Sequence, residues 1–290
     1  MIQKRPIFQG LINNYRRWSI RNSDNAMDWI RLGYDYKKDY NYYDAIDAFA
    51  HAIRIDPGNV EAWENIGSIY YENLTDFEFG SRISRCAEVI EAYVQVVRID
   101  PKNFNAWYRL QVAYRHLKRY NEAIEACQQV LSIKPETVNA LIDLGDIYFK
   151  LNRYQEAIET YLQATRINPA VSGPWFCLGR AYEELNQHDE AIKSYHQAIQ
   201  LDPNSVKTWS ALWTIFMTLK HYEKAIECSR QFVHIDPKSE IAWRCLIESY
   251  IYSGNRTAAK ETIQELRCQD SVMADELLEI YQNRIGGIDD

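Results

Sequence analysis

The sequence lacks any long apolar run. A membrane-spanning helix needs about 20 consecutive apolar residues, whereas the most apolar window of these 290 residues, Trp209 to Leu219, is interrupted by serine and threonine. Polar residues also break up any signal-peptide apolar region near the N-terminus. These two absences predict a soluble protein that stays in the cytoplasm.

The sequence also has no surplus of positive charge. Acidic residues outnumber basic ones, 40 against 33, so the formal net charge is −7. Proteins that bind nucleic acid without sequence preference need surplus Lys and Arg to neutralise the phosphates. The charge balance therefore disfavours a nucleic-acid partner.

Motifs that carry chemistry are missing as well. The six cysteines include no C-x-x-C pair and have no histidine at metal-ligand spacing. In a reducing compartment such cysteines pack as small apolar side chains. There is no Gly-rich phosphate loop, G-x-S-x-G, H-E-x-x-H or EF-hand pattern. We therefore expect no catalytic residue, no bound metal and no cofactor.

What the sequence does contain is an internal repeat. Prolines follow one another at spacings of 44, 34, 34, 34 and 34 residues, at Pro57, Pro101, Pro135, Pro169, Pro203 and Pro237. Upstream of each lies a second motif, clearest as Trp29-x-x-Leu32-Gly33-x-x-Tyr36. Within each repeat the apolar residues follow the helical period on two consecutive segments, and proline ends the second one.

This pattern resembles the tetratricopeptide repeat (TPR), a helix-turn-helix unit of 34 residues. The resemblance covers seven repeats at 26–59, 60–103, 104–137, 138–171, 172–205, 206–239 and 240–273. It implies an all-α fold, a right-handed α-solenoid with a concave groove and capping helices at its ends. The position of the motif tryptophan, called the Trp position below, holds Trp29, Trp63, Trp107, Leu141, Trp175, Trp209 and Trp243.

Three departures from the pattern stand out. The glycine of the motif is replaced by Gln111, Trp213 and Ile247 in three repeats. At Trp213 a small residue, Ser229, stands where other repeats have an aromatic ring, so either this swap compensates for the volume or a bend or side pocket forms there. Repeat 2 carries ten extra residues, whose Phe77 and Phe79 either fold back onto the helices or contact a partner.

The two ends differ in charge. Residues 274–290 are expected to form a capping helix and an acidic tail, with the helical pattern running from Ser271 to Ile285. Residues 1–25 are predicted to include a basic amphipathic helix that packs on its own solenoid, on a partner or second copy, or, least favoured, on a membrane surface. Its apolar arc, the candidate docking helix, includes Phe8, Leu11, Ile12, Tyr15 and Trp18.

The resemblance implies a non-enzymatic scaffold that binds extended or helical segments of partner proteins in its groove. The alternatives are a scaffold that self-assembles head to tail, a membrane-peripheral adaptor held by the N-terminal helix, and a lyase or transferase built into the solenoid. Mapping the repeat register gives the candidate groove residues Arg31, Tyr34, Lys37, Lys38, Asn65, Asn105, Tyr108, Arg109, Val112, Arg115, His116, Asn139, Asp143 and Arg180. We expect Arg109 and Arg115 to be exposed, so that reversing their charges costs little stability.

One partner class can be tested on the sequence. Co-chaperones of this family hold a chaperone's C-terminal carboxylate with Lys and Asn in the first repeat, Asn in the second, and Lys plus Arg or Lys in the third. Here Ile30 and Tyr34 stand at the first pair and Asn105 stands where Lys is needed, although Asn65 and Arg109 match. A chaperone C-terminal tail is therefore disfavoured as partner.

Overall fold

The computed structural model describes residues 23–72 and 82–285, and within them all regular structure is α-helical. The helices are α1 Ala26–Lys38, α2 Tyr42–Ile55, α3 Val60–Glu72, α4 Arg82–Ile99, α5 Phe104–His116, α6 Tyr120–Ile133, α7 Val138–Lys150, α8 Tyr154–Ile167, α9 Ser172–Glu184, α10 His188–Leu201, α11 Val206–Thr218, α12 Tyr222–Ile235, α13 Glu240–Tyr252, α14 Arg256–Gln269 and α15 Ser271–Ile285. The first helix of each predicted repeat carries an odd number and the second an even number.

The chain divides into two compact regions, and the boundary falls inside α7. The N-terminal region is Met1–Ile147 and the C-terminal region is Tyr148–Asp290. In the first region α1 packs on α2, α3 on α4, and α5 on α6. In the second, α9 packs on α10, α11 on α12, and α14 on both α13 and α15.

The connectors between repeats explain why each proline is followed by a new helix. Pro57 cannot continue α2, and the Asp56 carboxylate accepts a hydrogen bond from the Gly58 backbone N–H at 3.1 Å. The Trp63 indole N–H then donates to the Pro57 carbonyl at 3.1 Å. The same indole-to-carbonyl bond joins Trp107 to Pro101, Trp175 to Pro169, Trp209 to Pro203 and Trp243 to Pro237.

The turns inside the repeats use a left-handed residue. Tyr40, Lys118, Asn152, Asn186 and Lys220 have φ between 57° and 59°, and Gly254 has φ 81°. This conformation lets the next backbone N–H reach back to a carbonyl of the first helix, as from Asn41 to Tyr36 at 3.0 Å. Short turns of this kind let the second helix of a repeat pack against the first.

The glycine of the motif lies directly against an aromatic ring of the second helix. A Cβ atom on Gly33 would lie 2.6 Å from the Phe49 ring, and one on Gly179 would lie 2.5 Å from the Tyr195 ring. Glycine and a buried aromatic ring therefore form a matched pair in these repeats.

Two of the three repeats without the glycine reverse the sizes of this pair, whereas repeat 7 has Ile247 opposite Ile263. Ser229 is fully buried at the ring's position in repeat 6, and its compensation for the volume of Trp213 stays a prediction. Repeat 3 makes a similar exchange, with buried Gln111 opposite Cys127, and the Cys127 thiol donates to the Gln111 amide oxygen at 3.6 Å. In these two repeats the larger side chain of the pair stands on the first helix and the smaller one on the second.

The C-terminal helix α15 covers the last repeat. It buries Ala274, Leu277 and Tyr281 in one cluster with Ile263 and Leu266 of α14. The Tyr281 hydroxyl also donates to a Glu248 carboxylate oxygen at 2.5 Å. This is the contact that a terminal repeat needs to cover its apolar face.

Several sequence-based expectations lie outside the described residues: the N-terminal helix, Phe77 and Phe79 of the insertion, and the last residues of the acidic tail. Helix α4 has 18 residues, against 14 in each of the other second helices. The prediction that the cysteines are packed as apolar side chains is wrong for Cys268, which is exposed near the end of α14. Among the described helices, none is long and apolar enough to cross a membrane.

Candidate functional site

The first helices contact one another along one side, which we call the first-helix face. It comprises the residues two before and one, two, five, eight and nine after each Trp position, because these share one side of a helix.

In the N-terminal region, α1 and α3 are joined across this face by hydrogen bonds. The Tyr34 hydroxyl donates to the Glu61 carboxylate at 2.8 Å and accepts from the Asn65 amide at 3.0 Å. The Lys37 ammonium donates to the Ser68 hydroxyl at 2.9 Å. Three predicted groove residues, Tyr34, Lys37 and Asn65, are thus engaged in holding neighbouring repeats together.

Helices α5 and α7 are joined by a more buried network. The Gln111 amide, whose side chain is fully buried, donates to one Asp143 carboxylate oxygen at 2.8 Å, and Arg115 binds the other oxygen. The exposed fractions of the Arg115 and Asp143 side chains are 27% and 15%. The expectation that Arg115 is exposed is therefore wrong, because it reaches across to the next repeat and pairs with Asp143.

Arg109 lies over an aromatic ring instead of pairing with a carboxylate. Its guanidinium carbon is 3.9 Å from the centre of the Tyr71 ring on α3, a cation–π contact. Behind it, burial raises the pKa of Tyr93 to about 12 although the Arg109 charge acts in the opposite direction. The expectation that Arg109 is exposed is also wrong, because it is half-buried and connects two repeats through this contact with Tyr71.

The remaining predicted groove residues of this region differ in exposure and in their contacts. Arg31 is exposed and lies 3.7 Å from Asp28 of its own helix. Tyr108 is half-buried, stacks on Phe104, and has its pKa raised by burial. Val112 is half-buried, and the exposed positions are held by Lys38, Asn105, His116 and Asn139.

In the C-terminal region the face combines cations with aromatic rings. The Arg180 guanidinium carbon lies 4.4 Å from the centre of the Phe149 ring, and the Lys207 ammonium lies 4.8 Å from the centre of the Phe176 ring. In both pairs, the cation of one repeat covers the ring of the preceding repeat. Arg180 and Lys207 are exposed.

The carboxylates on the same face accept hydrogen bonds from tyrosine hydroxyls. Tyr195 donates to Glu183 at 2.8 Å, and burial, followed by the Glu183 charge, raises the pKa of this tyrosine. Tyr281 likewise donates to Glu248, as described above. Each of these carboxylates is thereby held by a neighbouring helix. The same face also carries cations that are exposed: Lys150, Arg180, Lys207 and Arg244.

Sequence reasoning missed the aromatic partners in these contacts. Tyr71 and Phe149 both stand eight residues after a Trp position, so counting from that position would have found them. Gln111 was recognised only as a glycine replacement, although Cys127 in the ring position signals the exchange. Among the described residues, no three His, Cys, Asp or Glu side chains are grouped to hold a metal ion.

Comparison with known proteins bears on this arrangement of repeats. A solved structure of MamA matches with TM-score 0.54 at 24% identity, covering 63% of this chain and 94% of that chain. YrrB, described as a TPR protein with an unusual peptide-binding site, matches with TM-score 0.57 at 16% identity, covering 68% and 96%. PilF of Pseudomonas aeruginosa matches with TM-score 0.52 at 16% identity, covering 74% and 93%. At these identities the likeness concerns the fold.

No curated protein matches the sequence. The family model of the cilia and flagella-associated protein 70 C-terminal domain, a TPR domain, matches residues 80–280, more than two thirds of the chain. Together with the TPR structures, this match confirms the resemblance inferred from the repeat motif. The chain therefore belongs to the family of the cilia and flagella-associated protein 70 C-terminal domain, a tetratricopeptide-repeat family.

Proposed function

We propose that the chain is a non-enzymatic scaffold that binds a segment of a partner protein along the first-helix face of its C-terminal region. The observation that carries this proposal is the pair of exposed cations, Arg180 and Lys207, that lie over Phe149 and Phe176. A TPR relative of the same fold, YrrB, is described as having a peptide-binding site.

The chemistry of this face favours an acidic segment with apolar side chains. A guanidinium stacked on a ring keeps in-plane N–H groups with which to bind a carboxylate. The rings and the half-buried Met217 offer apolar surface beside these donors. The neighbouring carboxylates Glu183 and Glu248 are held by tyrosine hydroxyls, which limits their movement toward the cations.

The N-terminal region is less suited to this role. Its candidate residues Tyr34, Lys37, Arg115 and Asp143 already bind residues of neighbouring repeats. A ligand would have to replace these contacts before it gained new ones, which lowers its net binding free energy.

An array of 15-residue peptides of varied charge and apolar content tests the proposal. We expect the chain to retain acidic peptides with apolar residues, and Arg180→Glu with Lys207→Glu to weaken Kd about tenfold or more, equivalent to about 1.4 kcal/mol. The matched control reverses Arg166 and Lys193, which are exposed on the second helices of repeats 4 and 5. Equal binding by both double variants would contradict the proposal.

A further inference from the structure

Cavities recur at one place in the repeats of the C-terminal region. One of about 500 Å³ is lined by Trp243, Leu246 and Tyr250 of α13 and, on its other side, by Arg230, Val233 and His234 of α12. A second, of about 480 Å³, lies beside Trp209 and Phe216 of α11, with Ile192 and His196 of α10 opposite. In both, the preceding repeat's second helix forms one wall.

A corresponding cavity lies in repeat 1 of the N-terminal region. Among the described residues, its lining includes no preceding second helix. It measures about 470 Å³ and is lined by Trp29, Leu32 and Tyr36 of α1 and by part of α2, from Asp44 to His51. Each of its lining residues stands 214 positions before a lining residue of the repeat 7 cavity. Repeat 1 therefore presents the same surface as repeat 7, where the preceding second helix packs against it.

The backbone also enters α1 as it enters the other first helices. The Trp29 indole N–H donates to the carbonyl of Ser23, six residues earlier, at 2.9 Å. Trp63 and Trp243 make the same bond to Pro57 and Pro237, each in a connector that follows a second helix. Ser23 thus occupies the position that proline holds after a second helix.

The sequence before Ser23 is in register with a second helix. Residues 8–21 stand 34 positions before α2, so Ile12 corresponds to Ile46 and Tyr15 to the buried ring of Phe49. Counted 214 positions before repeat 6, Ile12 corresponds to Ile226, which packs with Trp243 and Tyr250. In the described repeats, second helices pack these positions against the core, buried at Phe49 and Ile226 and half-buried at Ile46.

One polar contact has a counterpart too. Arg230 of α12 donates to the Tyr250 hydroxyl through Nη2 at 2.6 Å and Nε at 3.1 Å. The residue 214 positions before Arg230 is Arg16, and the residue 214 positions before Tyr250 is Tyr36. The acidic side chains of Asp44 and Asp47 beside this cavity suit a basic segment.

We propose that residues 8–21 form the second helix of a half-repeat that packs, within the same chain, on the face of Trp29, Leu32 and Tyr36. In this arrangement Ile12 contacts Trp29 and Tyr36, and the Arg16 guanidinium donates to the Tyr36 hydroxyl. The segment covers the first repeat as α15 covers the last one. This inference is independent of the proposed ligand face.

A double-mutant cycle on the full chain tests the Arg16–Tyr36 contact. Arg16→Met and Tyr36→Phe should each lower Tm by about 2–4 °C, and the double variant should lose little more than one of them. Arg230→Met and Tyr250→Phe serve as the matched reference pair. The proposal is overturned if Arg230→Met and Tyr250→Phe are coupled, while the effects of Arg16→Met and Tyr36→Phe are additive or absent.

Hydrogen exchange and light scattering identify the occupant of the face. We expect residues 8–21 to exchange slowly in a monomer, and Ile12→Asp to speed exchange in this segment and in α1 together. If protection requires a dimer that Ile12→Asp dissociates, a second copy supplies the segment and the proposal fails. Protection that appears only on vesicles of anionic lipid would overturn it equally.

Discussion

The first-helix faces of the two regions use similar residue types in different ways. In the N-terminal region, charged and polar side chains bind one another across repeats, as Arg115 and Gln111 do at Asp143. In the C-terminal region, the cations Arg180 and Lys207 lie on aromatic rings and are exposed. A charged residue on such a face is therefore assigned to stability or to binding by its contacts, since residue type alone does not separate the two.

The largest effect is expected from removing the cap of the C-terminal region. Deleting residues 271–290 exposes the apolar surface that Ala274, Leu277 and Tyr281 cover, and burial of each large side chain contributes about 1.5–3 kcal/mol. We expect a free energy of unfolding lower by at least about 3 kcal/mol, with aggregation, measured by urea unfolding and light scattering. The matched control deletes only residues 286–290. A 271–290 deletion as stable and monomeric as this control would show that α15 is not a cap.

Removing one contact from each face should have unequal effects on stability. Asp143→Ala leaves buried Gln111 and half-buried Arg115 without this partner, which should lower the free energy of unfolding by about 2–4 kcal/mol. Lys207→Ala removes an exposed cation–π contact and should cost less than about 1 kcal/mol. Urea unfolding of both variants measures the difference. Equal losses would remove the distinction between a stabilising face and a binding face.

A smaller effect should be common to both regions. Gly33→Ala and Gly179→Ala place a methyl group against the Phe49 and Tyr195 rings and should each cost about 1–3 kcal/mol. Gly173→Ala is the control, because a Cβ atom there meets nothing within 4 Å. Thermal unfolding of the three variants checks this prediction. If Gly33→Ala is tolerated and Gly179→Ala is not, the regions also differ in how tightly their helices pair.

The fold could be predicted from the sequence because its signals are local and repeated. The Pro57-type connector, the Trp position and the glycine opposite a ring each act within one repeat, so reading one repeat explains the others. The exchange of sizes between Gln111 and Cys127 could be predicted from the sequence in the same way as that between Trp213 and Ser229. These features depend on volume and helix geometry, which the sequence states directly.

The candidate site could be predicted only in part, because its contacts join different repeats. The register placed Arg115 on the first-helix face, but its pairing with Asp143 depends on how α5 and α7 lie against each other. The same applies to Arg180 over Phe149, where the cation stands five and the ring eight residues after their Trp positions. Helical periodicity assigns a residue to a face, whereas the spacing between neighbouring helices determines which side chains meet.

The most direct test of the account measures hydrogen exchange while the chain is titrated with an acidic, apolar peptide selected from the array. The account predicts protection in α9 and α11, where Arg180 and Lys207 lie, and its loss in the Arg180→Glu, Lys207→Glu double variant. The reversal of Arg166 and Lys193 should leave that protection unchanged. Protection confined to the second helices α10 and α12, or to α1 through α5, would contradict the assignment of the binding face.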